Sequence, residues 1–164
     1  MHDVKETHVA VFRVSGLKVR TRNTDESAPG RGKIGPMWGQ FFGEGMYEKI
    51  PGKQVGSPVY GVYSAYESDA DGLFDVSAAV ATDGPAPGFE SQVIQAGAYR
   101  VFEARGAMRE AIIQTWQQIW SCFQQPGAPA RAYATDFEAY VGDDLVLIHI
   151  GLLQEAAGVS RSSN

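Results

Sequence analysis

With 164 residues and 14 Lys and Arg against 19 Asp and Glu, the chain has the length of one domain and a net charge of −5. Such a length buries enough surface to fold without a disulfide or a metal, and a single cysteine, Cys122, excludes an internal disulfide. The acidic balance argues against a nucleic-acid binder, which carries a basic stripe. No apolar run reaches the about 18 residues of a membrane span, and the polar start MHDVKETH is unlike a secretory signal, so a cytoplasmic protein is expected.

In chain order, Val9 to Val14 reads as a short strand ending at Gly16. Residues 21–33, rich in Asn, Asp, Ser, Pro and Gly, read as a loop. The basic residues Lys18, Arg20, Arg22, Arg31 and Lys33 around it read as a solvated stretch. Pro36 suits the first turn of a helix that carries Met37, Trp38, Phe41 and Phe42 on one side. Val59 to Tyr66 and Phe74 to Ala81 have strand composition and a turn between them. TDGPAPG, at 82–88, is the strongest break in the chain.

The second half repeats this plan. FESQVIQ and AYRVFE are strand-like, and residues 107–125 form the best helix. Ile112, Ile113, Trp116, Ile119, Trp120 and Phe123 follow the spacing of one helical face, and Pro126-Gly127 stop it. Arg131 to Val141 and Leu145 to Leu153 are two further strands, and residues 154–164 read as a disordered tail. A shift of 78 lays Ile34, Trp38 and Gln40 over Ile112, Trp116 and Gln118. The fold expected is therefore α+β in a single domain over 1–164. Two β-α-β-β units, 7–81 and 89–153, form a curved antiparallel sheet with two helices on one face. A cleft between the halves would suit a small ligand.

Glu138 is the main candidate for chemistry. In Phe137-Glu138-Ala139-Tyr140-Val141, strand alternation sends Glu138 and Tyr140 to one face and the other three to the opposite face. Two readings stand side by side. One is a solvated strand face; the other is a partly buried carboxylate that recognises a cation, among aromatics that add stacking and cation–π attraction. The shift of 78 sets Tyr60 over Glu138, so Tyr60 joins the candidates. Glu67, Asp69, Asp71 and Gly72 resemble the start of a calcium loop, but Ala78 stands where the bidentate Glu belongs. Gly30-Arg31-Gly32-Lys33 lacks the spacing of a phosphate loop, and His2, His8 and His149 have no metal-ligand spacing. No cofactor or metal is expected.

Three segments in this order resemble the GyrI-like effector-binding domains, which also form the ligand-sensing part of AraC-type and MerR-type multidrug regulators. They are Gln95 to Phe102, the helix around Trp116-Gln-Gln-Ile-Trp120, and Phe137-Glu138-Ala139-Tyr140 with the closing strand Leu145 to Leu153. The chain is also similar to small effector-binding proteins of bacterial mobile cassettes. The resemblance implies a duplicated β-α-β-β fold and a pocket for cationic lipophilic compounds. Glu138 would lie at its base, Tyr140 beside it, and Trp38 and Trp116 in its walls. With no helix-turn-helix in the sequence, a stand-alone binder is expected, with an amphipathic, cationic small molecule as partner and no direct contact with nucleic acid or membrane. Two alternatives remain at this point. One is a hydrolase of reactive small molecules with Glu138 as general base and a Tyr as donor. The other is a protein-contact module of the gyrase-inhibiting kind.

Overall fold

The computed structural model describes residues 4–68 and 71–153, with only the backbone of residues 108 and 109. The expected tail at 154–164, His2 and Asp69 lie outside the described residues.

The first strand pair departs from the sequence reading. Val9 to Val14 is not one strand: β1 spans Val4–Val9 and β2 spans Phe12–Thr21. Of the basic residues read as a solvated stretch, Lys18 and Arg20 lie on β2, and Arg22, Arg31 and Lys33 lie beyond its end. Leu17 and Val19 pack into the core, while Lys18 and Arg20 reach Asp75 of the neighbouring strand at 3.7 and 2.9 Å. This is ordinary strand alternation, apolar to one face and charged to the other. Two short helices, α1 (Asn23–Ser27) and, after α2 (Ile34–Gly43), α3 (Met46–Lys49), complete the connection to β3 (Val59–Ser64) and β4 (Phe74–Ala81). The first backbone N–H groups of α2 need acceptors. Glu26 supplies them from α1, accepting from Lys33 N at 2.8 Å and Ile34 N at 3.3 Å.

The second half contributes β5 (Glu90–Ile94), β6 (Gly97–Arg105), α4 (Met108–Phe123), β7 (Arg131–Gly142) and β8 (Leu145–Leu152). All eight strands form one antiparallel sheet in the order β1-β6-β8-β7-β3-β4-β2-β5. This order is a palindrome when the halves are exchanged, β1 with β5, β2 with β6, β3 with β7 and β4 with β8. Each edge strand is traded: β1 pairs with β6 of the second half, and β5 with β2 of the first.

The sheet is curled into a half-barrel. Val9 and Phe12 are three residues apart, a reach of at most about 11 Å. Their strands nevertheless sit six places apart in the order, about 29 Å in a flat sheet. Curling lets Val14, Ile94, Tyr99 and Phe137 share one core with Val62 and Ala79, on the face away from the helices. The other face carries two clusters. Met37 and Phe41 of α2 pack on Val76, Ala78 and Val80, and Trp116 and Ile119 of α4 pack on Phe102, Val146, Ile148 and Ile150. The two halves meet where β3 pairs with β7, with Gly61 opposite Glu138.

Candidate functional site

The seam between the halves sets which side chains meet. On β3, Gly61 and Tyr63 face the helices; on β7, Asp136, Glu138 and Tyr140 do so, two residues apart each time. Glu138 is 2 % exposed and is held by three donors. Tyr63 donates its hydroxyl to Oε2 at 2.9 Å, and the Trp116 indole N–H donates to the same oxygen at 2.8 Å. Tyr140 donates to Oε1 at 3.0 Å. Among the described residues, Glu138 forms no ion pair.

Burial raises the pKa of Glu138, and the bonds from Trp116, Tyr63 and Tyr140 pull it back down. The phenols are pushed the other way. Burial and the nearby Glu138 raise both Tyr63 and Tyr140, so they keep their protons and remain donors. Glu138 is thus held by three donors and has no countercharge among the described residues. Removed from water, such a charge is unfavourable unless something cationic approaches it.

Gly61 makes room for this arrangement. A β-carbon there would lie 2.7 Å from Glu138 Oε1 and 3.1 Å from Cζ2 of Trp38. Trp38 stacks on Phe42 at 5.6 Å and leans against Tyr140 at 5.4 Å. The two tryptophans that recur in the repeat therefore come down on either side of the seam, Trp116 bonded to Glu138 and Trp38 above Gly61.

Tyr60 is not part of this group. It lies on the opposite face of β3, against Phe12 at 5.4 Å and Phe137 at 5.9 Å. The physical reason is parity. The shift of 78 aligns the helices, but β3 and β7 are related by an odd shift, because Gly61 pairs with Glu138. A slip of one residue in a strand turns every side chain to the other face. The residue that does meet Glu138 is Tyr63. It carried a readable signal: Val59, Gly61 and Tyr63 share the face opposite to Tyr60.

A cavity of about 460 Å³ opens beside the seam. Tyr63 and Trp116 form part of its lining, with Tyr66 and Phe74 from the first half and Ile112, Trp120 and Arg131 from the second. Trp38, Tyr140 and Tyr60 are not in that lining, and Glu138 stands behind Tyr63 and Trp116. Its volume matches a drug-sized ligand. Both carboxylate oxygens of Glu138 are taken by donors, two of which, Tyr63 and Trp116, also line the cavity.

The family model for integron-associated effector binding proteins (Cass2) matches residues 7–155. An integron cassette protein from the mobile metagenome of Vibrio cholerae is 34% identical in sequence, with a TM-score of 0.77, over 92% of this chain and 95% of that one. The protein SAV2435, solved bound to tetraphenylphosphonium, has the same fold at 20% identity, with a TM-score of 0.76 and 99% of both chains covered. A candidate transcription regulation protein from Staphylococcus aureus MU50 shares the fold as well, at 21% identity and a TM-score of 0.71, over 94% of this chain and 99% of that one. No curated protein matches the sequence. The half-barrel, the seam and the matched span lead to one assignment: the chain belongs to the Cass2 family of integron-associated effector binding proteins.

Proposed function

We propose that this effector-binding protein holds amphipathic cations in the cavity beside the seam, with the Tyr63 and Trp116 rings against the ligand and Glu138 behind them as the countercharge. The observation that carries this reading is the fully hydrogen-bonded, uncompensated carboxylate of Glu138. A lipophilic cation satisfies each part of the site. Its apolar body covers Phe74, Ile112 and Trp120, its charge attracts the faces of Tyr63 and Trp116, and the buried field of Glu138 acts at short range through little water. A protein of the same fold was solved with tetraphenylphosphonium, a cation of this kind. Binding of this type serves a sensor or a sequestering protein in the cytoplasm, upstream of transcription regulation.

Tetraphenylphosphonium titrated into the protein is expected to quench tryptophan emission, since Trp116 and Trp120 line the cavity. Glu138→Gln keeps the side-chain shape and removes the charge. It is expected to weaken that binding about tenfold or more, as losing a contact of about 1.4 kcal/mol does. Equal affinity in the two proteins would refute the role given to Glu138.

A further inference from the structure

The cavity has a second polar end. Arg131 lines it, with only 6% of the side chain exposed and its guanidinium 4.4 Å over the ring of Tyr133. Its Nη2 donates to Asp136 Oδ2 at 2.7 Å. The Tyr66 hydroxyl donates to the same oxygen, and the backbone N–H of Gly151 donates to Oδ1 at 2.8 Å. One carboxylate thus serves three donor groups, and the buried Nε of Arg131 has no acceptor among the described residues. A guanidinium offers five N–H donors and no acceptor. Asp136 stands behind the lining, and the carboxylate in the lining, Glu26, is already engaged by Thr21 and by the backbone of Lys33 and Ile34.

The two ends stand in fixed relation. Asp136 and Glu138 share one face of β7 two residues apart, which sets them roughly 7 Å from each other. Tyr63 belongs to one end and Tyr66 to the other, with Phe74 and α4 making the apolar span.

We infer that the cavity selects cations that also carry a hydrogen-bond acceptor, a carbonyl or ester oxygen, and that Arg131 is the specificity-determining donor to it. The inference rests on the cation reading above and narrows its ligand class. The charge of Arg131 is already matched by Asp136, so the preferred acceptor is neutral; a second full anion would meet the Asp136 carboxylate as well. The donor is already shielded from water in the free protein, so a ligand that brings an acceptor to it gains a hydrogen bond that a ligand without one does not.

The test compares two phosphonium probes of equal charge: pentyltriphenylphosphonium, and the same cation with a methyl ester at the end of a four-carbon chain. By calorimetry on the wild-type protein, the ester is expected to bind more tightly by about tenfold or more, as one hydrogen bond to a charged donor provides. Arg131→Lys keeps the ion pair with Asp136 but removes the fork; there the ratio of ester to pentyl affinity is expected to fall below about twofold. If wild type binds both probes equally, the acceptor subsite is wrong and the cation site stands. If neither probe binds, the cation site and the inference fall together. A preference that survives Arg131→Lys unchanged removes Arg131 from the role. Should that variant fold poorly, a thermal melt will show it, and the wild-type comparison of probes still decides.

Discussion

Asp136 and Glu138 stand two residues apart on the same strand face, 0% and 2% exposed, each holding three donors, and they do opposite things. Asp136 has Arg131 among its donors and forms a closed pair. Glu138 has two phenols and an indole, groups that give hydrogen bonds but no charge. The strand supplies the same geometry twice. Charge compensation separates the two: Asp136 is paired with Arg131, and Glu138 has no cation beside it among the described residues.

The sharpest way to break this comparison is to take the partner from the closed pair. Arg131→Met leaves Asp136 buried without a cation, a change that costs about 3–5 kcal/mol. For a domain of this size a thermal melt should move down by about 2–4 °C for each kcal/mol. Glu138→Gln should show no comparable loss, because the amide keeps an acceptor for Tyr63 and Trp116 and gives Tyr140 a donor. A large loss in both variants would mean that the two carboxylates are equivalent.

A smaller effect is expected from Gly61→Ala. The added methyl meets Glu138 Oε1 and the Trp38 ring, so overpacking should cost about 1–3 kcal/mol. The carboxylate must also shift away from Tyr140, so tetraphenylphosphonium affinity should fall together with the melting temperature. A neutral Gly61→Ala would show that the fit at the seam is loose.

The mildest test is pH. The folded-state pKa of Glu138 is raised, so the folded protein keeps that proton to higher pH than the unfolded chain does. Its contribution to stability is present below the usual 4.5 and is lost as pH rises through the raised value. Cation binding runs the other way. It favours the carboxylate, so affinity should climb across the same window and then level off. His149, stacked on Phe137 on the opposite face, has its pKa lowered by burial and contributes stability that is lost as pH falls through its usual 6.5. The curve to examine is therefore wild type minus Glu138→Gln, in which His149 cancels. A flat difference curve for both stability and affinity would contradict the account.

Much of the fold was legible because it is periodic. The apolar stripe of α4, the Pro-Gly stops and the recurrence of Ile and Trp in the two helices all express packing that repeats along the chain. Glu138 was legible from strand alternation, and from the likeness of Phe137 to Tyr140 to a known motif. What the sequence hid was register. The repeat spacing that suits α2 and α4 puts Tyr60 on Glu138, whereas strand pairing puts Gly61 there and brings in Tyr63. Loop lengths differ between the halves, so one shift cannot serve every element. The break between β1 and β2 was hidden for a related reason: Ala10 and Val11 look like strand, and only the curl of the whole sheet sends the segments on either side to different neighbours. Arg131 was silent because its partner, Asp136, is defined by a shift in register along β7.

The proposed role of Glu138 as countercharge to a bound cation is tested most directly by the ratio of affinities for tetraphenylphosphonium and neutral triphenylphosphine oxide, measured side by side on wild type and Glu138→Gln. Wild type is expected to prefer the cation by about tenfold or more, a difference of about 1.4 kcal/mol, and the preference is expected to collapse towards unity in Glu138→Gln. A ratio that is the same in both proteins would contradict it.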